Sequence, residues 1–416
     1  MPESAAAPGF PRLTYLRIKN YRALRDVELR DLTPLTVFIG PNGSGKSTVL
    51  DALAFLAEAV SGNLQQAWEK RNRFAGMRTR GSEETIQITL TIDGLSPQGS
   101  MTYHVELDER ENKIFLADEW VKIGGEGKKI FKANRLNTGE WSEITSETEK
   151  SDHEVEKNEK YPENGSMLVA TTVDLMIGYA FVFNRRLSGI ISPLKTFLTS
   201  YRYIHLTDDH LKGYSDAGPR EKLSANGDNL PNVLYYLHTK HPAALARVTE
   251  KLRRWVPQLA DVVPEITSDE RLLLRFRDAA FTQPLPAQYM SEGTMRLAAL
   301  LTLLYEPNAT GLLGLEEPEN ELHPHLLPRL AEELVKATET RQLLVATHSP
   351  FLLDALEPAQ VWILHRGTDG YTQATRTADI PQVKELVEDG SPLGYLWTSN
   401  FFRLGDPLAP RPSAAQ

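Results

Sequence analysis

The 416-residue chain contains no cysteine. That excludes a thiol nucleophile, a disulfide framework, an iron–sulfur cluster and cysteine-ligated zinc. It also lacks any apolar run near the roughly 18 residues a membrane helix needs; LAALLTLLY at 297–305 is typical of its longest. Positive charge is not in excess either: 46 basic against 55 acidic side chains leave a net −9. A uniformly basic nucleic-acid binder is therefore not expected, while a local basic surface stays open. The opening MPESAAAPGFPRL carries an acid and no apolar stretch, unlike a secretory signal. With 41% hydrophobic and 24% charged residues, the chain has the composition of a globular protein of about two or three domains. A soluble, cytoplasmic protein is expected, with no membrane partner.

TYLRIKN at 14–20 and LTVFI at 35–39 are rich in apolar and β-branched residues and predict strands; DVELRDL between them reads as a polar connection. After the second strand come GPNGSGKST and a helix-periodic run, VLDALAFLAEAV. TIQITLTID at 85–93 and MTYHVELD at 101–108 alternate and predict an antiparallel pair. Residues 143–165 are acidic with few apolar side chains, the pattern of a solvated loop or frayed helix. From 166 to 260 the periodicity is mostly helical. An α/β pattern then returns: a helix at 292–305, the strand GLLGL, a helix near 324–338, and the strands QLLVA and VWILH.

Gly40, Pro41, Asn42, Gly43, Ser44, Gly45, Lys46 and Ser47 spell G-x-x-x-x-G-K-S between a strand and a helix, with Thr48 following. Small residues there let successive backbone N–H groups turn onto phosphates at a helix N-terminus. Lys46 would reach the β- and γ-phosphates and the Ser47 hydroxyl would bind Mg²⁺, so the chain should bind a nucleoside triphosphate, ATP.

Four weaker elements accompany it. LLGLEE at 312–317 is an apolar strand ending in two carboxylates. Glu316 suits the metal and Glu317 the attacking water, although a charged loop start fits as well. His348, in LLVATHSP, follows another apolar strand and could hydrogen-bond the γ-phosphate, or be structural. YMSEGTMR opens a helix with Ser291, Glu292, Gly293 and Thr294; Ser291 reads as an anion contact or an N-cap. KNYRAL at 19–24 is a strand end turning into a loop. His323 and His325 lack a zinc spacing and read as structural.

In this order and context the elements resemble the ABC-type ATPases of the SMC/RecF-like and OLD-like group, above all the stand-alone bacterial ATPases with an AAA-like ABC domain. The resemblance runs through LRIKNYRALRDVEL, GPNGSGKST, YMSEGTMRLAALL, LLGLEEPENELHP and ATHSPFLLDAL, and leaves about 95–285 poorly matched. It implies an α/β P-loop NTPase of ABC/SMC-head type, with two lobes, an antiparallel β subdomain and a mostly helical insertion. The expected division is an N-terminal ATPase lobe at 1–95, the insertion at 96–285, a C-terminal lobe at 286–375 and a tail at 376–416. It also implies a homodimer that sandwiches ATP, with Ser291 and Gly293 acting in trans, Glu317 as base and His348 as switch. Pro318, Glu319 and Asn320 would pass near the partner's site, and Asn20 and Arg22 would line the nucleotide. Glu292 stands where transporter ATPases carry glycine, which argues against a transporter engine. The family's Q-loop glutamine has no counterpart by motif; IHLTDD at 204–209 is its candidate replacement.

The break between the lobes lacks heptads, so SMC-like coiled coils are not expected. Only 66 residues follow Pro350, without an acidic metal cluster, which makes a fused TOPRIM nuclease unexpected. KRNRFAGMRTR at 70–80 offers Lys70, Arg71, Arg73, Arg78 and Arg80 to double-stranded DNA, with Trp68 and Phe74 able to stack; a solvated basic face explains it equally. KIGGEGKKIFKANR at 122–135 is a second such run. Three readings follow: an ATP-switched dimer that acts on or senses DNA in repair or phage defence, a regulatory ATPase controlling a separate nuclease or toxin, and, least favoured, a transporter ATPase or kinase.

Overall fold

One face of the first strand points inward: Leu13, Leu16 and Ile18 are fully buried between half-exposed neighbours, with a bulge between Leu13 and Tyr15 absorbing the odd step. The computed structural model describes residues 9–110, 113–124, 129–135, 141–145, 185–207, 211–212, 215–216, 218–267 and 271–405. In chain order its strands begin with β1 (Arg12–Tyr21), β2 (Leu24–Leu29), β3 (Leu35–Ile39) and β4 (Ile86–Ser96). Next come β5 (Gly99–Arg110), β6 (Lys113–Ile123), β7 (Lys129–Arg135) and β8 (Trp141–Thr145). Then follow β9 (Arg202–Ile204), β10 (Ser215–Asp216), β11 (Leu259–Ile266), β12 (Arg271–Asp278) and β13 (Leu285–Pro286). The last are β14 (Leu312–Glu316), β15 (Gln342–Thr347), β16 (Val361–Arg366) and β17 (Thr372–Arg376).

The first sheet is antiparallel, in the order β2-β1-β4-β5-β6-β7-β8. The expected pairing of 85–93 with 101–108 is there, with Ile88 opposite Val105 and Leu90 opposite Tyr103. The segment read as a polar connection is largely strand β2. Its Leu24, Val27 and Leu29 face the core, while its charges sit on the other face, where Asp26 pairs with Arg17 at 2.8 Å. Of the acidic segment 143–165, the first residues close β8 and the rest lies outside the described residues.

The second sheet, in the order β17-β16-β3-β15-β14-β9, is parallel except for β17. Its central strands β3, β15 and β14 and most of β16 are buried on both faces, as parallel sheets require. Phe38, Leu344, Ala346, Trp362 and Leu364 face a core shared with the first sheet. Val37, Ile39, Leu343, Val345 and Ile363 face a second core built with the helices Leu230–Lys240, Pro242–Trp255 and Glu292–Leu304. Strand β9, from the middle of the chain, completes the edge of this sheet beside β14. The expected helices at 292–305 and 324–338 are Glu292–Leu304 and a 3₁₀ turn running into Leu327–Ala337. A small third sheet joins β10, β12 and β11, with β13 on β12, so the 166–260 region mixes helices with strands. Among the described residues, no helix is long and apolar enough to cross a membrane.

Candidate nucleotide-binding site

Strands β3, β15, β14 and β9 run side by side in parallel, so the segments leaving their carboxyl ends share one edge of the sheet. That edge is where open α/β sheets bind ligands. The loop from Gly40 to Gly45 leaves β3 there and enters the helix Lys46–Glu58. Glycine is obligatory at two of its positions. A Cβ on Gly40 would lie 1.9 Å from the Leu364 carbonyl oxygen. Gly45 has φ +105°, and its Cβ would lie 2.6 Å from Thr372 Oγ1.

Lys46 is 5% exposed and folds over the loop, donating to the carbonyls of Gly40 at 2.7 Å and Pro41 at 3.1 Å. Burial lowers its pKa to about 8, against the pull of Glu317, Glu319 and Glu316. Ser44 is buried, and its Oγ has no hydrogen-bond partner. Asn42, Gly43 and Ser47 are exposed, and Pro41 and Thr48 half-buried.

Glu316 ends β14 with its carboxyl mostly buried. Burial raises its pKa, while a hydrogen bond with Ser47 lowers it. Its Oε2 accepts from Tyr203 Oη and lies 2.9 Å from His205 Nδ1. Glu317 adopts φ +43°, rare for a residue with a side chain, and its N–H donates to the Ala346 carbonyl at 2.8 Å. Its carboxylate lies 3.3 Å from His348 Nε2 and accepts from Asn320 Nδ2 at 2.8 Å. Burial and then Lys46 depress the His348 pKa, which keeps the imidazole neutral near pH 7. A buried carboxyl beside a hydroxyl, at the mouth of a Gly-rich phosphate cradle, is a fitting donor set for Mg²⁺; Ser47 and Glu316 supply it.

Glu319 turns into its own chain. It is 8% exposed, and one oxygen accepts from Thr347 Oγ1 at 2.6 Å and the His348 N–H at 2.8 Å. Ser291 caps the helix Glu292–Leu304, accepting from the Thr294 N–H at 3.2 Å. Its own surface stays exposed, as does that of Glu292, which pairs with Lys212 at 3.6 Å. Gly293 packs on the loop after β14: a Cβ there would lie 2.5 Å from the Glu321 carbonyl oxygen. Among the described residues, no hydrogen bond or ion pair joins 291–294 to the P-loop.

Asn20 and Arg22 are committed elsewhere. Asn20 is buried and donates to Glu84 and the Thr85 carbonyl. Arg22 pairs with Asp51 at 3.1 Å and donates to the Gly76 carbonyl. Both have positive φ, so KNYRAL is a tight turn, and its side-chain bonds run to the 76–85 segment and to Asp51.

The basic run also divides. Arg71 is buried and ties Asp51 (3.0 Å) to Glu58 (2.6 Å), so it is not available to a phosphate. Trp68 and Phe74 are core residues, edge to face at 6.2 Å, and cannot stack on bases. Arg78 pairs with Asp108 at 2.7 Å and Lys70 with Glu58 at 2.8 Å; Arg73 and Arg80 remain exposed. In the 122–135 run, the side chains beyond Gly124 lie outside the described residues. Arg71→Ala is expected to lower unfolding stability by roughly 1.5–3 kcal/mol, because it removes buried charged hydrogen bonds and leaves Asp51 and Glu58 only their more exposed cationic partners, Arg22 and Lys70. A urea melt checks this, and an unchanged midpoint would mean the triad is not formed.

Several supports carry no motif. Thr372 Oγ1 donates to the Ser44 carbonyl at 2.8 Å, and Arg366 Nε to the Gly43 carbonyl at 2.7 Å, so the β16–β17 hairpin braces the P-loop. Tyr203 and His205 brace Glu316 in the same way.

Known proteins share this fold. An SMC head, solved bound to the C-winged helix domain of ScpA, superimposes with a TM-score of 0.53 at 12% identity, covering 87% of this chain and 97% of that one. The fold is thus that of an ABC-type SMC head. Over 88 residues (21% of this chain) the sequence is 36% identical to the OLD nuclease of Thermus scotoductus. Over 76 residues (18%) it is 36% identical to the DNA replication and repair protein RecF of Corynebacterium jeikeium. The match spans only 16% of the length of each of these relatives. The model of one ATPase domain family covers residues 35–354, from β3 to the segment after His348, and the chain belongs to that family, described as "AAA domain, putative AbiEii toxin, Type IV TA system".

Proposed function

We propose that the chain is a Mg²⁺-dependent ATPase that dimerises around ATP and acts on or senses DNA in repair or phage defence. One observation carries the ATPase reading: Lys46, Ser47, Glu316, Glu317 and His348 converge where adjacent parallel strands end. Lys46 and the loop N–H groups bind the β- and γ-phosphates. Ser47 and Glu316 would hold Mg²⁺, which would supply charge neutralisation to the phosphates. Glu317, oriented by Asn320, takes the proton of the attacking water. Neutral His348 is placed to hydrogen-bond the γ-phosphate and to register its loss.

Ser291 is exposed and, among the described residues, makes no hydrogen bond to the P-loop of its own chain, which supports a second copy in the complete site. The DNA reading is supported by the named repair and nuclease relatives and by exposed Arg73 and Arg80. The pairing of Lys70, Arg71 and Arg78 favours a second reading, a cytoplasmic switch that controls a separately encoded nuclease or toxin. ATP turnover with and without linear double-stranded DNA, with Lys46→Ala as the blank, separates the two. Stimulation that Arg73→Glu/Arg80→Glu abolishes places DNA on this face; basal turnover indifferent to DNA gives the partner-read switch. No turnover above the blank removes the ATPase.

A further inference from the structure

We infer that Glu319 is a positioning residue of the nucleotide site, whose carboxylate ties the backbone of His348 to the loop carrying Glu317 and so holds the two groups as one unit. This rests on the nucleotide reading above and deepens it, because it names what sets the distance between the base and the γ-phosphate contact. The two loops leave neighbouring parallel strands, β14 and β15. The ladder between them ends where the Glu317 N–H donates to the Ala346 carbonyl at 2.8 Å. Beyond that point Glu319 carries the link to the backbone.

Its Oε1 accepts from Thr347 Oγ1 at 2.6 Å and from the His348 N–H at 2.8 Å. Thr347 Oγ1 in turn accepts from the Ser349 N–H at 3.0 Å, so one carboxylate oxygen fixes three consecutive residues of the second loop. The loop that supplies Glu319 also supplies Glu317, whose Oε1 lies 3.3 Å from His348 Nε2. That contact joins two part-exposed side chains, whereas Glu319 is 8% exposed, and bonds shielded from water hold geometry better. Glu319 Oε2 is buried and has no hydrogen-bond partner. Burying an unpaired oxygen costs stability. The residue is therefore better explained by the geometry it imposes than by stability alone.

The test reads the His348 ring directly. In the full chain with ¹³C-labelled histidine, the signal that His348→Gln removes is assigned to that ring and followed through pH. In the parent, burial and then Lys46 hold its pKa below the ordinary 6.5. Glu319→Ala should raise it toward that value, because a ring freed from its place gains water. Glu319→Gln, whose amide oxygen can accept both bonds, should stay with the parent. Loss of a carboxylate charge alone would lower the value instead, and in both variants. Turnover should follow the ring: about 10–10²-fold slower in Glu319→Ala with ATP binding no weaker, and within about threefold of the parent in Glu319→Gln.

A His348 signal unmoved in Glu319→Ala, or equal losses of turnover in both variants, overturns the inference and leaves the nucleotide site standing. A ring that moves as expected in a parent no faster than the Lys46→Ala blank keeps the anchor and removes the ATPase. Should Glu319→Ala not fold, Thr347→Val removes one of the two bonds to the same oxygen. A smaller shift of the same sign is then expected, and no shift overturns the inference.

Discussion

Glu317→Gln is expected to bind ATP as the parent does, to hydrolyse it about 10²–10⁴-fold more slowly, and to accumulate as an ATP-bound dimer. The amide keeps the size of the carboxylate, so Asn320 and His348 keep a partner at 2.8 and 3.3 Å, and only the ability to take a proton is lost. The left-handed backbone at this residue is the same strain for glutamine as for glutamate, which removes misfolding as the cause of lost turnover. Phosphate release, fluorescent-nucleotide binding and the mass of the particle with ATP read the three effects separately. Turnover within twofold of the parent would dismiss Glu317 as the base. Glu319 would then be the next candidate, a carboxylate whose burial raises its pKa and whose Oε2 has no hydrogen-bond partner. A loss of binding along with turnover would instead make Glu317 a structural anchor of the loop after β14.

The candidate nucleotide site was legible because its residues are contiguous in sequence. Gly40 to Thr48, Glu316–Glu317 and His348 each follow a strand that the apolar pattern marks, and the parallel sheet then brings them together. What was not legible depends on pairing across long separations. His205 meets Glu316 from 111 residues away, through a three-residue strand too short to announce itself by periodicity. Arg71 looks like part of a basic run only until Asp51 and Glu58, on the preceding helix, are seen to neutralise it. Trp68 and Phe74 sit among charges in sequence, yet two short helices, Leu64–Lys70 and Arg73–Met77, turn the rings inward. For the same reason β2 passes for a connection: its charges are adjacent in sequence to apolar residues that face the other way, and only the ladder to β1 separates the two faces. Asn20 and Arg22 show the converse, since a shared motif position did not predict that their side chains would bond to Glu84, Thr85, Gly76 and Asp51.

Lys46→Ala should abolish turnover, with a loss of at least ~10²-fold, the scale of removing a charged donor from developing phosphate charge. The parent lysine carries a sharper signature. Burial holds its pKa at about 8 in the free protein, and a triphosphate laid against it must raise that value, since opposite charge favours the ammonium form. Below pH 8 the lysine is charged with or without nucleotide, and binding moves no proton. Above pH 8 the free protein has lost the proton and the complex has it back, so binding takes one up. Apparent ATP affinity should therefore be flat below pH 8 and fall up to about tenfold per unit above it, with close to half a proton absorbed per site at pH 8. Calorimetry in two buffers of different ionisation enthalpy measures that uptake directly. Proton release, or affinity indifferent to pH between 7 and 9.5, would mean that Lys46 is not the group meeting the phosphates. The Gly40 and Pro41 carbonyls that now hold its ammonium are the contacts it exchanges for phosphate oxygens, so the loop is expected to shift as the proton arrives.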